Sequence, residues 1–333
     1  MPEKPYFPPY SVTDAAIHLV AEICEQVGVL TVKNGAAANP QLRRENQLRI
    51  IHASLAIENN SLSLEQMTDV LNGKRVLGAP QEIREVKNAY EAYERLLTLD
   101  PFNIEHILSA HKILMTALTK EAGRFRSGGI GIFAGKQLVH MAPPASVVPK
   151  LVHNLLHWVQ ATDVHPLIKS CVFHYEFEFI HPFADGNGRM GRMWQTLLLS
   201  SWKPVFSWLP IETLIRERQQ EYYEVLAVSD KMADSTMFVE FMLCVIRDAL
   251  REFLQTEQVR EQVPEQVERL MSALGNETLS AKKLLDRLKL KHRQTFRNNY
   301  LKPALELGLI EMTVPNKPNS SKQQYRKLKS KNK

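Results

Sequence analysis

Apolar residues recur every three or four positions along most of the first 255 residues, which is the spacing of one buried helix face. After a proline-rich start, this pattern predicts a first helix around Ala15–Val27. Further helices are predicted at Gln41–Ile57, Leu64–Leu71, Gln81–Leu97, Ile104–Leu118, Val147–Gln160, Leu167–Phe179, Arg189–Ser200, Glu217–Ala227 and Met237–Gln255. The body of the protein is therefore predicted to be helical.

One stretch of this body departs from the helical pattern. Between Gly128 and Met141, short apolar runs alternate on either side of Gly135-Lys136, and Pro143-Pro144 follow. Alternation with a period of two around a glycine turn indicates a β-hairpin.

The C-terminal part of the chain has a different order of elements. The polar stretch Gln255–Gln266 contains Pro264 and is predicted to be a linker. Pro303 predicts a kink in the last helix. The elements predicted here are helices at Glu265–Leu274, Ser280–Leu288 and Gln294–Leu307, then strands at Gly308–Val314 and Lys322–Leu328. Three helices followed by two strands indicate a winged helix.

The predicted fold class is therefore mainly α: a helical core with one β-hairpin, followed by a C-terminal winged-helix domain. Three regions are expected along the chain. They are an N-terminal helical region over residues 1–100, a core over residues 101–255 and the C-terminal domain over residues 265–333.

Composition limits the class of protein. The 333 residues are 44% hydrophobic and 23% charged, which is ordinary for a soluble globular protein. No apolar run approaches the ~18 residues that span a bilayer, and the N-terminus lacks the pattern of a signal peptide. Cys24, Cys171 and Cys244 are odd in number and far apart, which favours free thiols in a reducing compartment. We expect a cytoplasmic protein with no membrane partner.

Charge is distributed unevenly along the chain. Residues 280–333 contain 15 lysines and arginines and 3 acidic residues, a net of +12, whereas the whole chain carries +6, so the rest carries −6. The basic positions on or before the predicted recognition helix are Lys282, Lys283, Arg287, Lys289, Lys291, Arg293, Arg297 and Lys302, and those on the wing are Lys322, Arg326 and Lys327. Such a module can bind DNA, although winged helices also dock proteins or form dimers.

The segment His181–Arg192 combines residue types that suit phosphate chemistry. Gly186 and Gly188 allow a tight loop before a helix that starts near Arg189. Backbone N–H groups at a helix start form an anion site. Arg189 and Arg192 lie three positions apart on its first turns and suit a polyphosphate.

Two further residues of this segment carry acid–base and metal chemistry. His181 is a titratable base at the edge of the loop, where it can take a proton from an attacking hydroxyl. Asp185 lies beside the anion site and can hold Mg²⁺ against phosphates. The glycines also match G-x-G-x-x-G, but that fingerprint requires a βαβ unit, and this region is flanked by predicted helices.

These residues resemble the signature of the Fic-domain proteins, H-x-F-x-[D/E]-G-N-G-R-x-x-R, at every defined position of His181–Arg192. The predicted hairpin at Ile130–Met141 resembles the Fic flap. Ser54–Asn59 is similar to the family's inhibitory pattern, [S/T]-x-x-x-E-[G/N], within a predicted inhibitory helix at about 41–59. The resemblance covers most of the chain and is weakest over the first 40 residues.

The resemblance implies that AMP is transferred from Mg-ATP to a Ser, Thr or Tyr hydroxyl of a target protein, and of the protein itself. His181 is then the general base, Phe183 anchors the loop, and the flap binds the target peptide by strand-like pairing. The implied ATP- and phosphate-binding residues are Asp185 (also the Mg²⁺ ligand), Gly186, Asn187, Gly188, Arg189, Met190, Gly191 and Arg192, with Tyr222, Tyr223 and Asp230 near the adenine.

The inhibitory pattern implies a regulatory contact. Ser54, Glu58 and Asn59 are its matching positions, and Glu58 is expected to pair with Arg192 where the γ-phosphate binds. ATP would then bind in a non-productive pose. Inhibited Fic proteins often form dimers, so a homodimer is also expected.

Two other functions stay open at this point. The same fold can transfer UMP, phosphocholine or phosphate, or remove AMP, and the signature does not separate these reactions. Alternatively, the protein is a DNA-binding regulator whose Fic core senses nucleotides. The complete set of catalytic positions at His181–Arg192 favours an enzyme.

Overall fold

The computed structural model describes residues 6–34, 40–134, 137–261, 265–315, 320 and 322–328. The chain forms two compact units, Met1–Phe253 and Leu254–Lys333. The predicted N-terminal region and core thus lie in one unit. Gly135-Lys136, the predicted hairpin turn, lies outside the described residues, as does Pro264.

Helices build the first unit, as the apolar spacing predicts. The helices are α1 (Asp14–Asn34), α2 (Pro40–Ile57), α3 (Leu64–Leu71), α4 (Pro80–Glu94), α5 (Ile104–Met115), α6 (Val148–Ala161), α7 (Pro166–Ile180), α8 (Asn187–Trp202), α9 (Ile211–Glu217), α10 (Gln219–Met232) and α11 (Thr236–Glu261). Short 3₁₀ turns lie at Leu96–Thr98, Ala145–Val147 and Pro204–Ser207. The sequence prediction missed α9, which contains only seven residues.

The centre of this unit is the antiparallel pair of α7 and α8, which are buried on nearly all sides. Phe173, Phe177 and Trp194 are fully buried there. Most buried side chains of α7 are apolar, so no face of it gains from contact with water, whereas α8 also buries Arg189 and Arg192, which need polar partners. This buried pair holds the connecting segment, residues 181–186, in one place.

The predicted hairpin consists of β1 (Gly131–Ala134) and β2 (Gln137–Met141), which pair antiparallel. Gly131 lies opposite Met141, and a register irregularity falls between Ile132 and Phe133. The pairing continues beyond the strands, where the N–H of Ala142 donates to the carbonyl of Ile130 at 3.1 Å.

The C-terminal unit contains the three predicted helical segments, the last of them divided, and the two predicted strands, together with a short strand before the second helix that was not predicted. It contains α12 (Glu265–Leu274), β3 (Leu279–Ser280), α13 (Ala281–Arg287), α14 (Arg293–Phe296), α15 (Lys302–Glu306), β4 (Ile310–Met312) and β5 (Gln324–Lys327). The strands form a sheet in the order β3-β5-β4. Between α14 and α15, residues Arg297–Leu301 are π-helical. This widened turn directly precedes Pro303, which lacks the N–H that a regular helix uses there.

The predicted linker at Gln255–Gln266 is wrong over its first part. Helix α11 continues through Glu261. Polar composition suggested a break, but Gln, Glu and Arg are good helix formers, so a polar sequence can extend an existing helix.

Candidate active site

The backbone between α7 and α8 is tightly constrained at its first residue. Helix α7 ends at Ile180, and His181 adopts the left-handed conformation with φ 49° and ψ 61°. The Nδ1 atom of His181 lies 3.3 Å from the carbonyl oxygen of Glu178. Because a carbonyl oxygen only accepts, Nδ1 carries the hydrogen in this contact. In the neutral ring, Nε2 is then the basic nitrogen.

The next part of the loop is closed by side chains that face inward. Phe183 is fully buried, and its ring stacks on that of His111 with 3.6 Å between centroids. The Oδ1 atom of Asn187 accepts from the Phe183 N–H at 2.8 Å, and its Nδ2 donates to the Phe183 carbonyl at 2.9 Å. The Asn187 side chain therefore braces the loop backbone, and the contact of Asn187 with phosphate stays a prediction.

Two glycines allow close approach at the start of α8. Gly186 has φ 83°, and a Cβ placed on it would stand 2.7 Å from Sδ of Met115. A Cβ on Gly188 would stand 2.4 Å from Oε1 of Glu58. Only glycine satisfies both the backbone conformation and the space at position 186.

Both signature arginines are buried and paired with carboxylates. The Arg189 side chain lies 3.1 Å from Oδ1 of Asp185 and 3.7 Å from Oε1 of Glu85. The Arg192 side chain, 1% exposed, donates from NH2 to Oε1 of Glu58 at 2.7 Å. An incoming phosphate must therefore compete with acidic side chains for each arginine.

The inhibitory pattern forms a second set of contacts with Arg192. The Nε of Arg192 donates to Oγ of Ser54 at 3.1 Å, and the NH2 of Arg192 donates to the Ser54 carbonyl at 3.0 Å. Asn59 has φ 67° and follows the last residue of α2, Ile57. Left-handed backbone favours Gly and Asn, which explains why the pattern allows these two residues after Glu58.

The two tyrosines of α10 have different positions. Tyr222 is 1% exposed, and its hydroxyl lies 3.1 Å from Nε2 of His174. Tyr223 is 44% exposed, and its hydroxyl donates to the carbonyl of Ile57 at the end of α2. Tyr222 is a core residue, because aromatic side chains surround it, and its assignment to nucleotide contact stays a prediction. Asp230 accepts a hydrogen bond from Tyr175 at 3.0 Å.

Met190 and Gly191 also face the interior. Met190 is fully buried, and its N–H donates to the Gly186 carbonyl at 3.0 Å. A Cβ on Gly191 would stand 2.7 Å from Oε1 of Glu178. One side chain fills the core, and the other is absent so that helices can pack closely, and the contact of these two residues with phosphate stays a prediction.

Three buried or half-buried residues near the loop were missed in the sequence: Glu85, His111 and Arg126. The Gly123 N–H donates to Nδ1 of His111 at 2.9 Å, so Nε2 carries the hydrogen and donates to the Asp185 carbonyl at 3.0 Å. Burial lowers the pKa of His111 to about 4, so the ring is neutral near pH 7. No local pattern separates these residues from ordinary helix or loop positions.

Comparison with protein families agrees with this geometry. Residues 101–199 match the Fic/DOC family. Residues 265–327 match the family described as "Filamentation induced by cAMP protein Fic-like, C-terminal domain". A solved structure of a Fic family protein from Desulfovibrio desulfuricans G20 is 57% identical. It superposes with a TM-score of 0.74, covering 97% of this chain and 98% of that one. The chain belongs to the Fic family, and the predicted resemblance and mainly α fold class are confirmed.

Curated relatives are more distant. The protein adenylyltransferase fic-1 of Caenorhabditis elegans is 29% identical over 217 residues, covering 61% of this chain and 40% of that protein. The protein adenylyltransferase Fic of Drosophila mojavensis is 26% identical over 249 residues, covering 68% and 46%. The chain thus spans less than half the length of these two relatives. A solved segment of C. elegans Fic-1 shares the fold: it superposes with a TM-score of 0.57 at 22% identity over 74% of this chain and 76% of that one.

Across the described residues, no helix has both the length and the hydropathy needed to cross a bilayer.

Proposed function

We propose that the protein is a protein adenylyltransferase that transfers AMP from Mg-ATP to a Ser, Thr or Tyr hydroxyl of a target protein and of itself. The observation that carries this proposal is the loop itself. His181, with Nε2 as its basic nitrogen, lies within twelve residues of two arginines at a glycine-rich helix start. Base, anion site and cationic side chains are the parts that phosphoryl-type transfer needs.

The proposed reaction is a single displacement at the α-phosphorus. Nε2 of His181 takes the hydroxyl proton as the hydroxyl oxygen bonds to this phosphorus. The bond from the α-phosphorus to the α–β bridging oxygen breaks, and pyrophosphate leaves. Arg189 and Arg192 would stabilise the outer phosphates once their present carboxylate partners are displaced.

Asp185 is the residue that fits Mg²⁺. Its side chain is 57% exposed beside the start of α8. Its Oδ1 is bonded to Arg189, a pairing that a bound phosphate would displace. Mg²⁺ is usually bound by one or two carboxylates together with substrate phosphates, so one exposed carboxylate at a phosphate site suits it. Bound there, Mg²⁺ would neutralise charge on the phosphates.

The proposal includes inhibition by Glu58. Its carboxylate is 2.7 Å from the Arg192 guanidinium, at the position where an outer phosphate would bind. The helix end that carries Glu58 is fastened by Gln219, whose Nε2 donates to the Ile57 carbonyl at 3.0 Å. A fixed anion at this arginine competes with the γ-phosphate and leaves ATP in a non-productive pose.

Label transfer from ATP carrying ³²P at the α-phosphate tests the proposal. We expect weak labelling by the wild type, strong labelling by Glu58→Gly, and none by Glu58→Gly/His181→Ala. Glu91→Gly is a matched control, since Glu91 pairs with Arg95 at the surface of α4. Equal labelling by wild type and Glu58→Gly would contradict inhibition. An absence of label in every variant, with ATP binding intact, would favour another donor or AMP removal.

A second proposed activity is DNA binding by the C-terminal unit. The observation that favours it is a set of exposed basic side chains on and around α13–α15: Lys282, Lys283, Lys289, Lys291, Arg293, Arg297 and Lys302. A basic helical face of this kind suits the phosphate backbone. Protein docking by the same unit, and homodimerisation of the chain, stay predictions.

A further inference from the structure

Arg126 is an unusual arginine because it is buried yet bonded to main-chain oxygens. It is 3% exposed, and within the described part of the chain its guanidinium forms no ion pair with a carboxylate. Its Nε donates to the His181 carbonyl at 2.7 Å, its NH1 to the Gly128 carbonyl at 2.8 Å, and its NH2 to the carbonyls of Pro143 and Ile180.

These four carbonyls belong to two different parts of the unit. Gly128 precedes β1 and Pro143 follows β2, so they mark the two ends of the hairpin. Ile180 and His181 are the last residue of α7 and the first residue of the loop. One guanidinium therefore connects both ends of the hairpin to the residue proposed as the base.

The backbone of Arg126 strengthens this connection. Its own N–H donates to the Pro182 carbonyl at 3.0 Å, one residue beyond His181. The positive charge also lies at the C-terminal end of α7, where the helix dipole is negative. Arg126 holds His181 in its left-handed conformation through its positive charge, its several donors and its main-chain bond. A non-glycine residue adopts this conformation at a cost in free energy.

We infer that Arg126 is a positioning residue: it fixes the hairpin, which is proposed to hold the target segment, relative to the ring of His181. This inference rests on the proposed AMP transfer. Its chemical basis is the planar fork of arginine, which presents five donors in fixed directions. Lysine keeps the charge but concentrates its donors at one point, so it cannot serve carbonyls at the hairpin ends and at His181 together.

The test uses the full-length Glu58→Gly protein as the parent, with Arg126→Lys and Arg126→Gln added. Arg124→Lys is a matched control, because Arg124 is exposed two residues away. At saturating ATP, we expect Arg126→Lys to slow self-labelling on the order of 10- to 100-fold, since small misplacements of reacting groups cost this much. The Kd for ATP should change less than about threefold, because Arg189 and Arg192 bind phosphate independently.

Hydrogen exchange gives a readout that does not depend on activity. In Arg126→Lys, amide exchange should accelerate in β1 and β2 and in residues 180–183, while α8 stays protected. Unchanged self-labelling, or unchanged exchange in the hairpin, overturns the inference. A joint loss of ATP binding and α8 protection also overturns it, since Arg126 would then only support the fold. If the Glu58→Gly parent transfers no AMP, the proposed function fails, and hairpin exchange alone decides the role of Arg126.

Discussion

Charged side chains are buried next to the loop between α7 and α8, but they are exposed in the C-terminal unit. In α8, directly after the loop, the Arg192 side chain is 1% exposed and bonds to Glu58 and Ser54. In the C-terminal unit, the Arg287–Glu277 pair is 42% and 57% exposed. Buried pairs resist screening by salt, whereas exposed charges are screened strongly. A change in the loop should therefore act through fixed contacts, and a change in the C-terminal unit through ionic strength.

The largest effect is expected from salt acting on the C-terminal unit. If it contacts about four DNA phosphates, affinity for a duplex should fall about 100-fold between 50 and 200 mM salt. Fluorescence anisotropy with a labelled duplex measures this dependence. Lys282→Gln/Lys283→Gln should reduce the slope of log affinity against log salt by about two. Lys74→Gln, on an exposed pair with Asp69 in the first unit, is the control. Binding that is absent or independent of salt would contradict a DNA-binding role.

One glycine in the loop and one in the C-terminal unit allow the tightness of packing in the two regions to be compared. Gly186→Ala combines positive φ with a contact 2.7 Å from Sδ of Met115, whose fully buried side chain must shift to admit the added Cβ. Gly308 has φ 65° but nothing within 4 Å of its added Cβ. We expect Gly186→Ala to lower the free energy of unfolding by about 2–3 kcal/mol and Gly308→Ala by about 1 kcal/mol. Calorimetry on both variants measures the difference, and equal losses would show that the loop is less tightly packed than described.

Acid should weaken the loop through His111. Because burial lowers its folded pKa to about 4, below the ordinary value of 6.5, the unfolded chain binds more protons between these values. The contribution of the neutral ring is complete above pH 6.5 and is lost as the pH falls toward 4. The stability advantage of the wild type over His111→Gln should thus shrink by about 2 kcal/mol between pH 7 and pH 5.

Urea unfolding at several pH values measures this advantage. His292→Gln serves as the control, since His292 is exposed in the C-terminal unit. A difference between wild type and His111→Gln that is constant from pH 7 to pH 5 would show that His111 is not held neutral.

The smallest effect is expected at Ser54. Ser54→Ala removes the acceptor for Nε of Arg192 but leaves the Ser54 carbonyl and Glu58 in place. Because the Ser54 carbonyl and Glu58 still hold Arg192, the lost bond should count only as much as a typical hydrogen bond, about 0.5–1.5 kcal/mol, so AMP transfer should rise about two- to tenfold, less than in Glu58→Gly. Self-labelling measures this rise. Ser109→Ala, at an exposed position of α5, should leave the rate unchanged. A rise at Ser54 as large as that at Glu58 would mean that the helix position, not the carboxylate, causes inhibition.

The sequence by itself predicted most of the helices and strands, although it missed α9 and β3, and it located the candidate site. Helix α3 has the predicted bounds, Leu64–Leu71, and the hairpin forms on either side of Gly135-Lys136. These features depend on local spacing and on residues such as Gly and Pro, whose backbone preferences act within a few positions. The signature His181–Arg192 is contiguous, so it was readable without a structure.

Only the tertiary structure decided which of these residues face one another. Glu58 and Arg192 meet across 134 positions, and Arg126 reaches His181 across 55. Tyr222 turned out to be buried, and the Asn187 side chain was found to bond to its own loop. The physical reason is that burial and long-range hydrogen bonds depend on how helices pack, and residues far apart in the chain leave no joint periodic signal. The sequence names the groups that can react, and the packing fixes which of them can reach a ligand.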